Sequence, residues 1–133
     1  MKTFINLPVK NLKRSREFFE SLGFSFDAAF TDENATCMVI SEHAYAMLHV
    51  EKSFESFSQR AIPDASKSAE VLIGLSAESR AQVDDLSNRA ERAGAKMLGG
   101  PDDRGFMYMR GFRDLDGHQW SFIYMDMGAL AEQ

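Results

Sequence analysis

The side chains able to do chemistry in this sequence are few and scattered: His43, His49, His118, Cys37, Glu70 and Arg110. A neutral imidazole ligates a divalent metal or takes a proton near neutral pH, and a carboxylate can do either as well. His49 and Glu70 are the two best suited to such work. His49 shares a strand face with Tyr45 and Met47, opposite Ala46, Leu48 and Val50, and Glu70 opens another apolar strand pattern. Two donors fall short of the three protein ligands that a catalytic metal centre uses. Each also has a plainer reading: His49 as a hydrogen-bonded pocket histidine, Glu70 as a solvated carboxylate. His43 falls in a turn, and His118 directly follows Gly117 on the strand face opposite Ser121. Cys37, the one cysteine, lies in the apolar run Thr36-Cys37-Met38-Val39-Ile40 and reads as a buried strand residue. Arg110, if it points inward, would pair with a carboxylate or phosphate on a ligand; pointing outward it is a surface charge. Asp84-Asp85 and Asp102-Asp103 read as solvated pairs. The chain carries no nucleophile elbow, no phosphate loop and no paired cysteines.

The elements that must position these groups repeat in order. Residues 2–9 alternate as a strand, with Ile5, Leu7 and Val9 on one face and Phe4, Asn6 and Pro8 on the other. A helix follows Asn11, buries Leu12, Ser15, Phe18, Phe19 and Leu22, and stops at Gly23. Strands follow over residues 24–30, 35–40 and 44–50. Residues 51–68 are polar and irregular apart from Phe54, Phe57 and Pro63, and read as a connection or as a lid. Residues 70–75 then form a strand. Ser79-Arg80-Ala81-Gln82 is a capping box, and Val83, Leu86, Ala90 and Ala93 recur at helical spacing up to Gly94. A short strand over residues 96–98 and a loop over 99–103 lead to a final hairpin. Its turn is Asp114-Leu115-Asp116-Gly117, between the aromatic run Phe106-Met107-Tyr108-Met109 and the apolar residues 120–125. The tail from Gly128 carries no motif.

Composition bounds the function. At 133 residues with 44% hydrophobic content, the chain suits one packed domain or two small modules. A net charge of −5 disfavours a nucleic-acid partner, which needs clustered Lys and Arg. The single cysteine fits a reducing cytoplasm, and no run matches a signal segment or a membrane span. Eight methionines suit an accommodating apolar surface.

Two motifs in this order and spacing resemble the vicinal oxygen chelate superfamily, the group of glyoxalase I, bleomycin and fosfomycin resistance proteins and extradiol dioxygenases. Its first module opens with a strand and then V-x-D-L-x-x-S-x-x-F-Y-x-x-L-G-F; Val9, Leu12, Ser15, Phe18, Leu22, Gly23 and Phe24 match, with Asn11 for Asp and Phe19 for Tyr. Its second module ends in strand, D-P-D-G, strand; Asp114, Asp116 and Gly117 match, with Leu115 for Pro. The resemblance implies an α+β fold of two βαβββ modules forming a cupped mixed sheet with helices outside. Module one would span about 1–51, a linker about 52–68 and module two about 69–127. It also implies a homodimer and a ligand held in the cup.

Enzymes of this superfamily hold a divalent metal on His, Glu or Gln from four strands, to polarise substrate oxygens. The corresponding positions here are Phe4, Met47, Leu72 and Ser121, none a good ligand. A shift of two residues on the middle strands would bring in His49 and Glu70. The expectation is therefore a degenerate metal site, with no cofactor, in a protein that binds a small, partly apolar molecule. The expected pocket is Phe4, Asn6, Tyr45, Met47, His49, Glu70, Leu72, Gln119 and Ser121, with Tyr108 and Arg110 added if their parity allows. The alternative is an active lyase, isomerase or dioxygenase of the lactoylglutathione-lyase type, using Ni, Zn, Mn or Fe on His49 and Glu70; enzyme activity stays open between the two.

Overall fold

A computed structural model describes residues 1–131 and divides the chain into two compact units, residues 1–64 and residues 65–133. The N-terminal unit begins with β1 (Thr3–Val9), α1 (Leu12–Ser21) and β2 (Ser25–Asp27). It continues through β3 (Ala35–Val39), β4 (Ala44–Val50) and α2 (Glu51–Ser58). Its sheet has the order β1-β4-β3-β2; β1 runs parallel to β4 and the other pairs are antiparallel. Asn11 caps α1 by accepting a 3.0 Å bond from the Arg14 amide. The helix ends at Gly23, whose φ of +99° suits a residue without Cβ. Leu7 and Val9 of β1, Phe18 and Phe19 of α1, Met38 of β3 and Ala46 and Leu48 of β4 are all buried. They form the apolar layer that fixes α1 against one sheet face.

The C-terminal unit repeats the plan. It holds β5 (Leu72–Ser76), α3 (Arg80–Arg92), β6 (Lys96–Met97), β7 (Asp102–Asp103), β8 (Met107–Arg113), β9 (Gln119–Met125) and α4 (Met127–Ala131). The order is β5-β9-β8-β6, with β7 also on β8; β5 is parallel to β9 and the rest are antiparallel. Ser79 Oγ accepts from the Gln82 amide at 3.0 Å, and Gln82 Oε1 accepts from the Glu78 amide at 2.7 Å. This is the expected capping box, its return bond made one residue early. Val83 and Ala90 of α3 are buried, as are Phe112, Trp120 and Phe122 of β8 and β9, the strands that α3 packs on. The fold class is thus α+β, with two mixed sheets each bearing a helix.

Several local expectations need correction. Residues 28–30 leave the expected strand as a 3-10 turn, because Asp27 accepts from the Ala29 amide at 2.9 Å and starts it. The expected irregular connection opens with α2, which has no side-chain N-cap. Its pattern is one pair, Phe54 and Phe57, too short to stand out. Strand β5 starts at Leu72, so Glu70 precedes it. The loop over 99–103 contains β7, and the tail forms α4; residues 132–133 lie outside the described residues.

Candidate functional site

The face of the N-terminal sheet opposite α1 gathers the expected residues of that unit. The β1–β4 register sets Phe4 beside Tyr45, Asn6 beside Met47 and Pro8 beside His49. Phe4 stacks on Tyr45 with ring centroids 5.2 Å apart, and Lys2 Nζ lies 5.7 Å from the Tyr45 ring. Asn6 Nδ2 donates to the Phe4 carbonyl at 3.4 Å, which turns its Oδ1 toward His49 Nε2 at 2.8 Å. Nε2 therefore carries the proton, and Nδ1 accepts from Ser53 Oγ at 3.2 Å. Both nitrogens of a 5% exposed imidazole are spent. The Phe54 and Phe57 rings of α2 lie 6.4 and 5.5 Å from it. Burial holds its pKa below the ordinary histidine value, against a smaller opposing pull from Asp32. Cys37, opposite Met47, is buried, and burial with nearby Asp27 raises its thiol pKa.

In the C-terminal unit the hairpin decides which residues share a face. Asp114 closes the turn: its amide donates to the His118 carbonyl at 2.8 Å, and its Oδ1 accepts from the Asp116 and His118 amides at 2.9 and 3.0 Å. Oδ2 accepts from Trp120 Nε1 at 2.9 Å. Gly117 has φ +91°, and a Cβ there would sit 2.8 Å from the Ala65 carbonyl oxygen. The closed turn pairs Arg113 with Gln119 and Gly111 with Ser121, while β5 brings Leu72 beside Gln119 and Gly74 beside Ser121. Leu72, Gln119 and Ser121 thus share the face opposite α3. Glu70 is exposed and outside the sheet.

Tyr108 and Arg110 lie on the other face, against α3. Tyr108 donates to Asp84 Oδ1 at 2.7 Å; Arg110 Nη1 reaches Asn88 Oδ1 at 3.0 Å and Asp84 Oδ1 at 3.4 Å. The hydrogen bond to Asp84, with burial, raises the Tyr108 pKa. These two residues brace α3 to β8 and do not join Gln119 and Ser121. The arginine on the face with Gln119 is Arg113, which the sequence reading omitted. Its parity was legible: a turn closing between Asp114 and His118 must pair 113 with 119.

A divalent metal does not fit these donors. Phe4, Met47 and Leu72 offer no hard ligand, Ser121 is a poor one, and the His49 nitrogens are already bonded. Among the described residues, no group of three or more His, Cys, Asp and Glu side chains is arranged to hold one. Also among the described residues, no helix is long and apolar enough to cross a membrane.

The fold is shared with solved structures. A hypothetical protein from S. aureus is 28% identical with a TM-score of 0.80, covering 91% of each chain. A glyoxalase/bleomycin resistance protein/dioxygenase family enzyme from Burkholderia phytofirmans PsJN is 13% identical with a TM-score of 0.80, covering 92% of this chain and 96% of its own. A genomically encoded fosfomycin resistance protein from Listeria monocytogenes is 16% identical with a TM-score of 0.65, covering 91% and 89%. No curated protein matches the chain. The family model described as Glyoxalase/Bleomycin resistance protein/Dioxygenase superfamily matches residues 3–122. That match takes in both motifs and most of the chain, and this chain belongs to the glyoxalase/bleomycin resistance protein/dioxygenase superfamily.

Proposed function

We propose that this protein binds a small, partly apolar molecule on the sheet faces opposite α1 and α3, without a metal. The observation that carries the reading is the donor set. Where the superfamily places metal ligands, this chain has Phe4, Met47, Leu72 and Ser121, and the nearby His49 has both ring nitrogens bonded, to Asn6 and Ser53. Phe4 stays 55% exposed and Leu72 67% exposed, so apolar surface is available to a ligand rather than committed to the core. Apolar walls with a few polar handles are the common make-up of small-molecule sites. The N-terminal unit offers Phe4, Asn6, Tyr45, Met47 and His49 on its own face, and the C-terminal unit offers Leu72, Gln119 and Ser121 on its own. A homodimer and a cytoplasmic location belong to the same proposal. The buried free thiol of Cys37 supports the second.

The test is a titration of chelator-treated protein with small apolar compounds, followed by mass spectrometry of the recovered ligand. Saturable binding with the compound returned unchanged is the expected result. Binding or turnover that appears only after Ni, Zn, Mn or Fe is added would overturn the reading.

A further inference from the structure

The polar side chains on the two faces of the C-terminal sheet differ in one respect. Against α3 they are largely paired: Tyr108 and Arg110 with Asp84 and Asn88, Arg80 with Asp103 at 2.8 Å. On the opposite face, the side chains of Arg113, Gln119 and Ser121 make no hydrogen bond or ion pair among the described residues. Yet all three are half-buried. They are also neighbours: Arg113 pairs across the strands with Gln119, and Ser121 lies two residues on along the same face. Lys96 stands beside Arg113 on β6 and adds a second positive charge. Asp102, the acidic strand residue on this face, is already paired with Arg104 at 3.3 Å.

The surroundings are apolar and low. Gly74 and Gly111 flank Ser121 across the strands, so the backbone is approachable there. A Cβ on Gly111 would meet Leu98 at 3.7 Å, and one on Gly74 would meet Ile123 at 3.0 Å, so Leu98 and Ile123 form the walls. An arginine fork, an amide and a hydroxyl beside such a trough match a carboxylate on an apolar body.

The geometry points to a small apolar carboxylate as the ligand class, its carboxylate on Arg113 with Gln119 and Ser121, its body along Leu98, Ile123 and Leu72. This rests on the reading of the protein as a small-molecule binder and specifies what is bound. The anion contact moves from Arg110, which is committed to α3, to Arg113.

The probe is 1-naphthoate, with 1-naphthamide as its neutral twin, titrated into the full chain by calorimetry and by amide chemical-shift mapping. The acid should bind roughly tenfold or more tighter than the amide, since charge-assisted bonds are the stronger ones. Shifts should gather on β6, β8 and β9. R113Q should lower the acid to the affinity of the amide, and R113K, which keeps the charge but not the fork, should fall between. R89Q removes an arginine from the solvent side of α3 and should leave the preference intact, which separates local pairing from net charge. Equal binding of acid and amide, or a preference that survives R113Q, would remove the carboxylate and leave metal-free binding standing. Failure of both probes while another apolar compound binds chelator-treated protein would do the same.

Discussion

At the scale of single residues, hydrogen bonds rather than charges explain the buried polar groups. His49 is neutral and donates through Nε2, and its burial lowers its pKa from the usual 6.5. The unfolded chain therefore takes up the proton first as pH falls. Folding stability from this residue is fully present above about 6.5 and is lost as pH falls from there through the lower folded value. H49Q removes the titration and keeps a partner for Asn6. The gap in unfolding free energy between wild type and H49Q, measured by denaturant at pH 7.5 and at pH 5, should shrink on acidification; a constant gap would count against a buried neutral imidazole. Asp114 illustrates the same point from the other side. Burial raises its pKa, so its charge is a cost, and its value lies in three accepted bonds. D114N can keep the two amide contacts only by turning its NH2 toward the Trp120 N–H. One buried donor is then left unpaired, at about 1–3 kcal/mol. A wild-type melting temperature for D114N would contradict that account.

At the scale of elements, the terminal hairpin is the feature best specified by sequence. Asp114, Asp116 and Gly117 announce the turn, and Gly117 is required twice over, by its φ of +91° and by the Ala65 carbonyl 2.8 Å from any added Cβ. G117A should lose about 1–2 kcal/mol from backbone strain alone, and more from the clash. An unchanged chemical denaturation curve would show that the segment at Ala65 yields freely. The same hairpin determines the parity of β8, and with it the opposite fates of Arg110 and Arg113. Counting along β8 alone could not decide this, because Met107, Tyr108, Met109 and Arg110 present large side chains to both faces. The pairing across the turn could. Other elements were less legible for physical reasons. Helix α1 had a cap, a stripe and a glycine stop, and α3 had its capping box. Helix α2 had neither cap nor full stripe, and is held by Ser53, Phe54 and Phe57 around His49. That contact is tertiary and leaves no periodic trace. Glu70 missed its strand by two residues, an ordinary fault of boundary prediction.

At the scale of the whole molecule, family membership and donor chemistry point in different directions. The superfamily match covers residues 3–122, but Phe4, Met47 and Leu72 offer no hard ligand and both His49 ring nitrogens are already bonded. A ligand that binds the folded chain and not the unfolded one must stabilise it, by about 2.7 kcal/mol at a hundred times its dissociation constant. For a chain of this size that would raise the melting temperature by several degrees. A site of three or four strand-borne ligands would therefore announce itself in a thermal scan. With His49 bonded on both nitrogens and Glu70 outside β5, each of Ni, Zn, Mn and Fe should leave the melting temperature of chelator-treated protein within about a degree of the metal-free value. A rise of several degrees with one of these ions, reversed by chelator, would mean that His49 gives up Asn6 or Ser53 to bind it. In that event H49Q should abolish the rise, while R113Q, in the other unit, should leave it in place.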